Sequence, residues 1–109
     1  MQDVAFLAEE IVRGKGYVLL PELFTPKEIS IARSHILNLA IKQPAGSFLK
    51  NGERSRLFRL LDEAEIFERM VQHPLVIEVV ETILGGDMTL GGFSAHIFYP
   101  GATNMGAHV

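Results

Sequence analysis

The sequence predicts one mixed α+β domain, helical over residues 1–86 and β-rich over 87–109. Three observations predict this. Helix-start signatures stand at Thr25-Pro26-Lys27-Glu28 and at Asp62-Glu63-Ala64-Glu65. Apolar residues follow each at helical spacing. Beyond Gly85-Gly86 the chain turns to Thr, Phe, Ile and Tyr with interspersed glycine, a strand-forming composition.

The elements follow in order. Residues 3–13 read as a helix, with Asp3 as cap, Leu7 and Ile11 on one face and Gly14 as stop. Gly16-Tyr17-Val18-Leu19-Leu20 is short, apolar and β-prone and ends at Pro21, so it reads as a buried strand. Thr25 then caps a helix that has proline at its first position and Glu28 completing the capping box. Ile29, Ala32, Ile36, Leu39 and Ala40 form its apolar stripe, and Pro44-Ala45-Gly46-Ser47 breaks it near residue 43. Residues 47–56 are polar and rich in glycine and arginine, the composition of an exposed loop.

Leu57 to Leu61 is an apolar run compatible with either helix or strand. The box at Asp62–Glu65 predicts a helix that buries Ile66, Phe67, Met70 and Val71. His73-Pro74 interrupts it. The following helix has a core stripe of Val76, Val79, Val80, Ile83 and Leu84 and closes at Gly85-Gly86. Met88 to Tyr99 reads as one long strand, bulged near Gly91-Gly92. Pro100 to Asn104 is turn chemistry, and Met105 to Val109 resembles the start of a further strand. A lone terminal hairpin is marginal in water, so the expectation is the front part of something longer. An unpaired strand over 88–109 would also favour self-association.

Composition bounds the function. Net charge is −3, from 10 basic and 13 acidic residues, which makes no phosphate-binding stripe and argues against nucleic acid as a partner. There is no cysteine, which excludes disulfides and thiolate metal sites. No run approaches the roughly 18 apolar residues of a membrane span. The first residues lack a signal-peptide pattern. A cytoplasmic protein with no membrane partner is the expectation.

Of the four histidines, His35, His73, His96 and His108, no two are spaced to share a helix face as metal ligands. His35 reads as a surface or half-buried polar residue. His73 reads as a cap or corner-packing group before Pro74. His96 reads as a structural residue of the long strand. Dinucleotide, P-loop and nucleophile-elbow motifs are absent from the sequence. Arg54, Arg56 and Arg59 could meet an anionic group such as a carboxylate or phosphate, or form local ion pairs on a solvated loop.

Four segments, in order, resemble a known family. Gly16-Tyr17-Val18-Leu19-Leu20-Pro21 follows an N-terminal helix. Leu23-Phe24-Thr25-Pro26-Lys27-Glu28-Ile29 starts a long one. His73-Pro74-Leu75-Val76 leads to Ile83-Leu84-Gly85. Phe98-Tyr99-Pro100-Gly101 precedes a short loop to His108. Together they are similar to the N-terminal part of phytanoyl-CoA dioxygenase-like proteins, which are iron(II)/2-oxoglutarate-dependent oxygenases. The resemblance implies a double-stranded β-helix, or jelly roll, whose first strands carry the N-terminal helices and which is incomplete in this chain. It implies a metal site of two histidines and one carboxylate, with positions left for 2-oxoglutarate and oxygen.

The family's first two ligands stand as His-x-Asp or His-x-Glu. His108 matches the histidine and Val109 the intervening residue; the carboxylate, second histidine and 2-oxoglutarate-binding arginine would lie beyond this chain. The chain alone is thus expected to be inactive and to bind iron(II) and 2-oxoglutarate poorly, while its parent hydroxylates a small organic substrate. The strand before such a motif lines the pocket. Alternation directs inward either Phe93, Ala95, Ile97 and Tyr99 or Ser94, His96 and Phe98. The first set is favoured because Tyr99 could hydrogen-bond a carboxylate. Tyr99 and Ile97 are therefore candidate cofactor-binding residues, with aromatic packing beside the Pro-Gly turn as the competing reading of Tyr99. Arg54, Arg56 and Arg59 are candidates for the pocket rim. Two alternatives stand beside this one: a small non-enzymatic α+β interaction module, and a family member that has lost its metal site.

Overall fold

In the computed structural model, which describes residues 3–44 and 52–103, local caps start most of the helices. Asp3 caps α1 (Val4–Val12), its carboxylate accepting the N–H groups of Ala5 and Phe6. Thr25 caps α2 (Pro26–Lys42). The Thr25 hydroxyl accepts the Glu28 N–H at 3.1 Å, and Glu28 accepts the Thr25 N–H at 2.9 Å. That backbone bond holds the Glu28 carboxyl below its usual range. His73 caps α4 (Pro74–Leu84): its Nδ1 accepts the Leu75 N–H at 3.1 Å, and its ring meets Phe24 edge-on. Gly85 ends α4 at a φ of 92°, a left-handed position where a side chain would be strained.

Among the described residues the sheet has two antiparallel strands, β1 (Arg54–Leu57) and β2 (Ala95–Phe98). Arg54 stands opposite Phe98, Ser55 opposite Ile97, Arg56 opposite His96 and Leu57 opposite Ala95. Ser55, Leu57, Ala95 and Ile97 therefore share one face. The core forms there, where Leu57, Leu60, Ile66 and Phe67 meet Ala32 and Ala40 of α2. Phe93, Ala95 and Ile97 pack against it from β2 and the residues before it. Leu60 is 2% exposed and Phe67 1%. Separately, α1 packs on α4, where Leu7, Ala8 and Val79 are buried.

Four expectations need correction. Gly16–Leu20 is not a buried strand: it lies outside the sheet, with Tyr17 60% and Leu19 80% exposed. Among the described residues its β-prone side chains have no neighbouring strand to pack on, and that packing is what β-propensity measures. The loop expected over 47–56 gives way to β1 at Arg54, and Arg54 and Ser55 are buried (45–51 lie outside the described residues). The long strand over 88–99 is four residues long, and β1 pairs with it. β1 comes from the stretch read as helical, so the boundary at residue 86 does not separate helix from sheet.

The fourth correction concerns Asp62–Glu65. Leu60–Asp62 form a 3-10 turn entered at Arg59, whose φ is 60°. Asp62 pairs with Arg59 at 2.9 Å instead of capping a helix. The turn drives Leu60 into the core, and α3 (Glu65–Val71) starts after Ala64 without a side-chain cap. On α4 only Val79 of the expected stripe is fully buried, and Leu84 is exposed.

Phe67→Ala removes the largest fully buried side chain, which sits between α2, α3 and the sheet. The expected loss is about 3–5 kcal/mol, a large part of the stability of a small domain. Urea unfolding followed by circular dichroism measures it; a loss under about 1 kcal/mol would show that this core is not as packed as described.

Candidate functional site

Among the described residues, helices cover one face of the sheet and none covers the other. Period-two alternation puts Arg54 and Arg56 of β1, with His96 and Phe98 of β2, on that open face. The Arg54 guanidinium lies 5.1 Å from the centre of the Phe98 ring, a cation–π contact. Arg56 stands directly opposite His96. The exposed Phe58 ring meets the His96 ring edge-on at 6.1 Å. A cleft of about 580 Å3 opens beside this face, between Phe58–Asp62 and Leu90–Ser94. Of the groups on this face and its edge, Phe58 lines the cleft, and the cleft's arginine, Arg59, is paired with Asp62.

The edge of the open face continues into a bonded turn. The Tyr99 N–H donates to the Glu53 carbonyl at 2.8 Å and the Ala102 N–H to the Tyr99 carbonyl at 3.0 Å. Gly101 takes a φ of 85° between them, which fits glycine. Glu53 Oε1 then accepts the Thr103 N–H at 3.0 Å and the Thr103 hydroxyl at 2.6 Å. Arg54 Nη2 donates to the Thr103 carbonyl at 2.8 Å. The bond from the Thr103 hydroxyl, then that from its N–H, hold the Glu53 carboxyl below its usual range.

The predicted residues are placed as follows. His108 lies outside the described residues. Ile97 faces the helices and packs on the core. Tyr99 lies on the same side, and its hydroxyl shares a 2.7 Å hydrogen bond with that of the fully buried Ser55. Of the three arginines, Arg54 and Arg56 share the open face, while Arg59 leaves the strand, pairs with Asp62 and lines the adjacent cleft. His35 is exposed, with its ring edge-on to Phe67. Among the described residues no group of three or more His, Asp or Glu side chains is placed to hold a metal ion. Also among them, no helix is long and apolar enough to cross a membrane.

Sequence reasoning missed Ser55, Glu53 and Thr103. The alternation of Ser55 and Leu57 against Arg54 and Arg56 was the available signal for β1. Nothing in the spacing links position 53 to position 103.

Comparison with family models, with curated proteins and with solved structures finds no match to this chain. The geometry above is therefore what bears on function.

Two tests follow from this geometry. Tyr99→Phe leaves a buried Ser55 hydroxyl without its partner and is expected to cost about 1–2 kcal/mol, while adding Ser55→Ala restores part of the loss. A double-mutant cycle by chemical denaturation reads the coupling, and strict additivity would contradict the bond. Glu53, with its lowered pKa, contributes stability above the usual carboxylate range and loses it as pH falls through the lowered value. The Thr103 amide resonance should accordingly shift in that acidic window and stay constant around neutrality; a shift near pH 7 would contradict the assignment.

Proposed function

We propose that this chain is the N-terminal portion of an iron(II)/2-oxoglutarate-dependent oxygenase of the phytanoyl-CoA dioxygenase-like kind, which hydroxylates a small organic substrate in the cytoplasm. One observation carries the reading. Among the described residues helices cover one face of the sheet only, and β2 leads into the Tyr99-Pro100-Gly101 turn, with His108 following in the sequence. That arrangement suits the first strands of a jelly roll, with helices outside and a pocket on the open face.

On this reading Arg56, His96 and Phe98 line the pocket, Arg54 stands buried at its edge, and Ile97 and Tyr99 support it from behind. The cationic and aromatic groups would receive an anionic part of the substrate or of 2-oxoglutarate. The described residues do not by themselves fit an iron site, so no step through iron is derived from them. His108 is the ligand the reading assigns to this chain. The carboxylate, second histidine and 2-oxoglutarate-binding arginine would come from residues after 109.

The test is expression of the continuous reading frame. The expected result is Asp or Glu at position 110, iron(II) uptake that His108→Ala removes, and iron-dependent conversion of 2-oxoglutarate to succinate. A frame without that carboxylate, whose product takes up no iron(II), overturns the reading.

A further inference from the structure

We propose that the cleft between Phe58–Asp62 and Leu90–Ser94 binds a free α-amino acid with an aromatic side chain, whose carboxylate meets Arg59 and whose ammonium group meets Asp62. The inference is independent of the oxygenase reading. It uses described residues alone and involves no metal ion.

The cleft encloses about 580 Å3, within the roughly 300–1,000 Å3 of small-molecule sites. Its two walls come from segments far apart in the sequence and are tied together at the base. The Leu60 N–H donates to the Phe93 carbonyl at 3.2 Å. Leu60 is buried in the core, and the Phe93 ring meets the buried Phe67 ring edge-on. The core therefore sets the spacing of the walls. Glycine leaves room on the second wall, because a Cβ at Gly91 or Gly92 would meet no atom within 4 Å.

The charges decide the class of ligand. Among the described residues Arg59 and Asp62 are the charged groups lining the cleft. They lie 2.9 Å apart, with side chains 84% and 61% exposed. One ion pair does not use them up, since a guanidinium has five N–H donors and a carboxylate about four acceptor sites. An exposed pair of this kind is weak, so a ligand that meets both partners loses little by loosening it. The pair is neutral as a unit. A simple anion would gain at Arg59 and be repelled at Asp62, and a simple cation the reverse. A molecule with an anionic and a cationic group one carbon apart gains at both, and that is a free α-amino acid. A peptide terminus carries one of the two charges.

The apolar lining decides the side chain. Phe58 is 51% exposed and Leu90 48%, large apolar groups on opposite walls. Phe93 and Leu61 are half-buried beside them. An aromatic ring lying between the walls covers this surface and meets two phenyl rings. The backbone supports the same reading. Arg59 takes a φ of 60°, a left-handed position that glycine or asparagine fills more readily. A turn alone does not need an arginine there. What the arginine adds is a guanidinium at the cleft.

The experiment titrates the isotope-labelled protein from the continuous reading frame and follows its amide resonances. The probes are L-phenylalanine, phenylpropanoate without the ammonium group, phenylethylamine without the carboxylate, and L-alanine without the ring. Phenylalanine is expected to shift the resonances of Arg59, Asp62, Gly91 and Gly92, and each of the other three to bind about tenfold more weakly. In Arg59→Gln, phenylalanine should bind no better than phenylethylamine. In Asp62→Asn it should bind no better than phenylpropanoate. Both side chains are exposed, so the fold tolerates both changes, and unchanged resonances elsewhere in the chain verify this. No shift at the cleft with millimolar phenylalanine overturns the proposal. So does phenylpropanoate binding as tightly as phenylalanine to the unaltered protein, or unaltered discrimination in both variants. Iron(II) uptake, present or absent, has no bearing on these outcomes, so this proposal and the oxygenase reading fail separately.

Discussion

Arg54–Leu57 pairs with Ala95–Phe98 across the whole of α3 and α4, and the face this pairing forms is the one the main core packs on. Closing that long connection costs chain entropy, and a two-stranded ribbon does not recover it alone. The recovery comes from what the pairing assembles. Leu57, Ala95 and Ile97 become one apolar face, and Leu60, Ile66 and Phe67 cover it with Ala32 and Ala40 of α2. The Leu60 N–H donates to the Phe93 carbonyl at 3.2 Å, which ties the turn after β1 to the chain entering β2. Phe93 then meets Phe67 edge-on at 6.1 Å. Pairing and core are thus one cooperative unit. Register is part of it, because a slip of one residue would turn Arg54 and Arg56 into the core and Leu57 out of it.

That register divides the sheet by chemistry. The covered face holds small and aliphatic side chains, and its polar pair, Ser55 and Tyr99, is satisfied internally. The open face holds two arginines, a histidine and a phenylalanine. The apolar core lies on one face, and on the other the buried group is Arg54, packed on Phe98, while His96 and Phe98 are exposed. Such a division suits a scaffold whose rigid side is generic and whose chemical side is particular.

The helices were legible because their signals are local. Asp3, Thr25 with Glu28, and His73 before Pro74 each act within three residues of themselves. The sheet was not, because a strand depends on a partner that local reading does not supply. Gly16–Leu20 has a strand's composition and, among the described residues, no strand beside it. Arg54–Leu57 has a loop's composition and a strand beside it. The even alternation along β2 was readable, and the side that faces the helices follows only from where α2 and α3 pack. The arginine cluster was visible as charge, whereas its division into Arg54 and Arg56 on one face and Arg59 off it follows from the left-handed residue at 59. Asp62 was misread because a carboxylate ahead of a helix can cap it or pair with a cation three residues back; here the pair with Arg59 wins, since the turn at Leu60 brings the two within 2.9 Å.

Arg54 is a charged residue buried in this arrangement. Removing a guanidinium from water is expensive, and apolar residues of similar volume commonly stabilise a protein as well as a buried ion pair does. Stability alone therefore does not account for an arginine at this position. An apolar side chain there could cover Phe98 equally well. It could not direct a hydrogen bond to the Thr103 carbonyl, nor could an apolar neighbour at position 53 hold the Thr103 N–H and hydroxyl. Apolar contact is non-directional, whereas hydrogen bonds fix orientation. The charged pair thus supplies what packing cannot, a defined orientation for the Thr103 peptide beyond the turn at Pro100-Gly101.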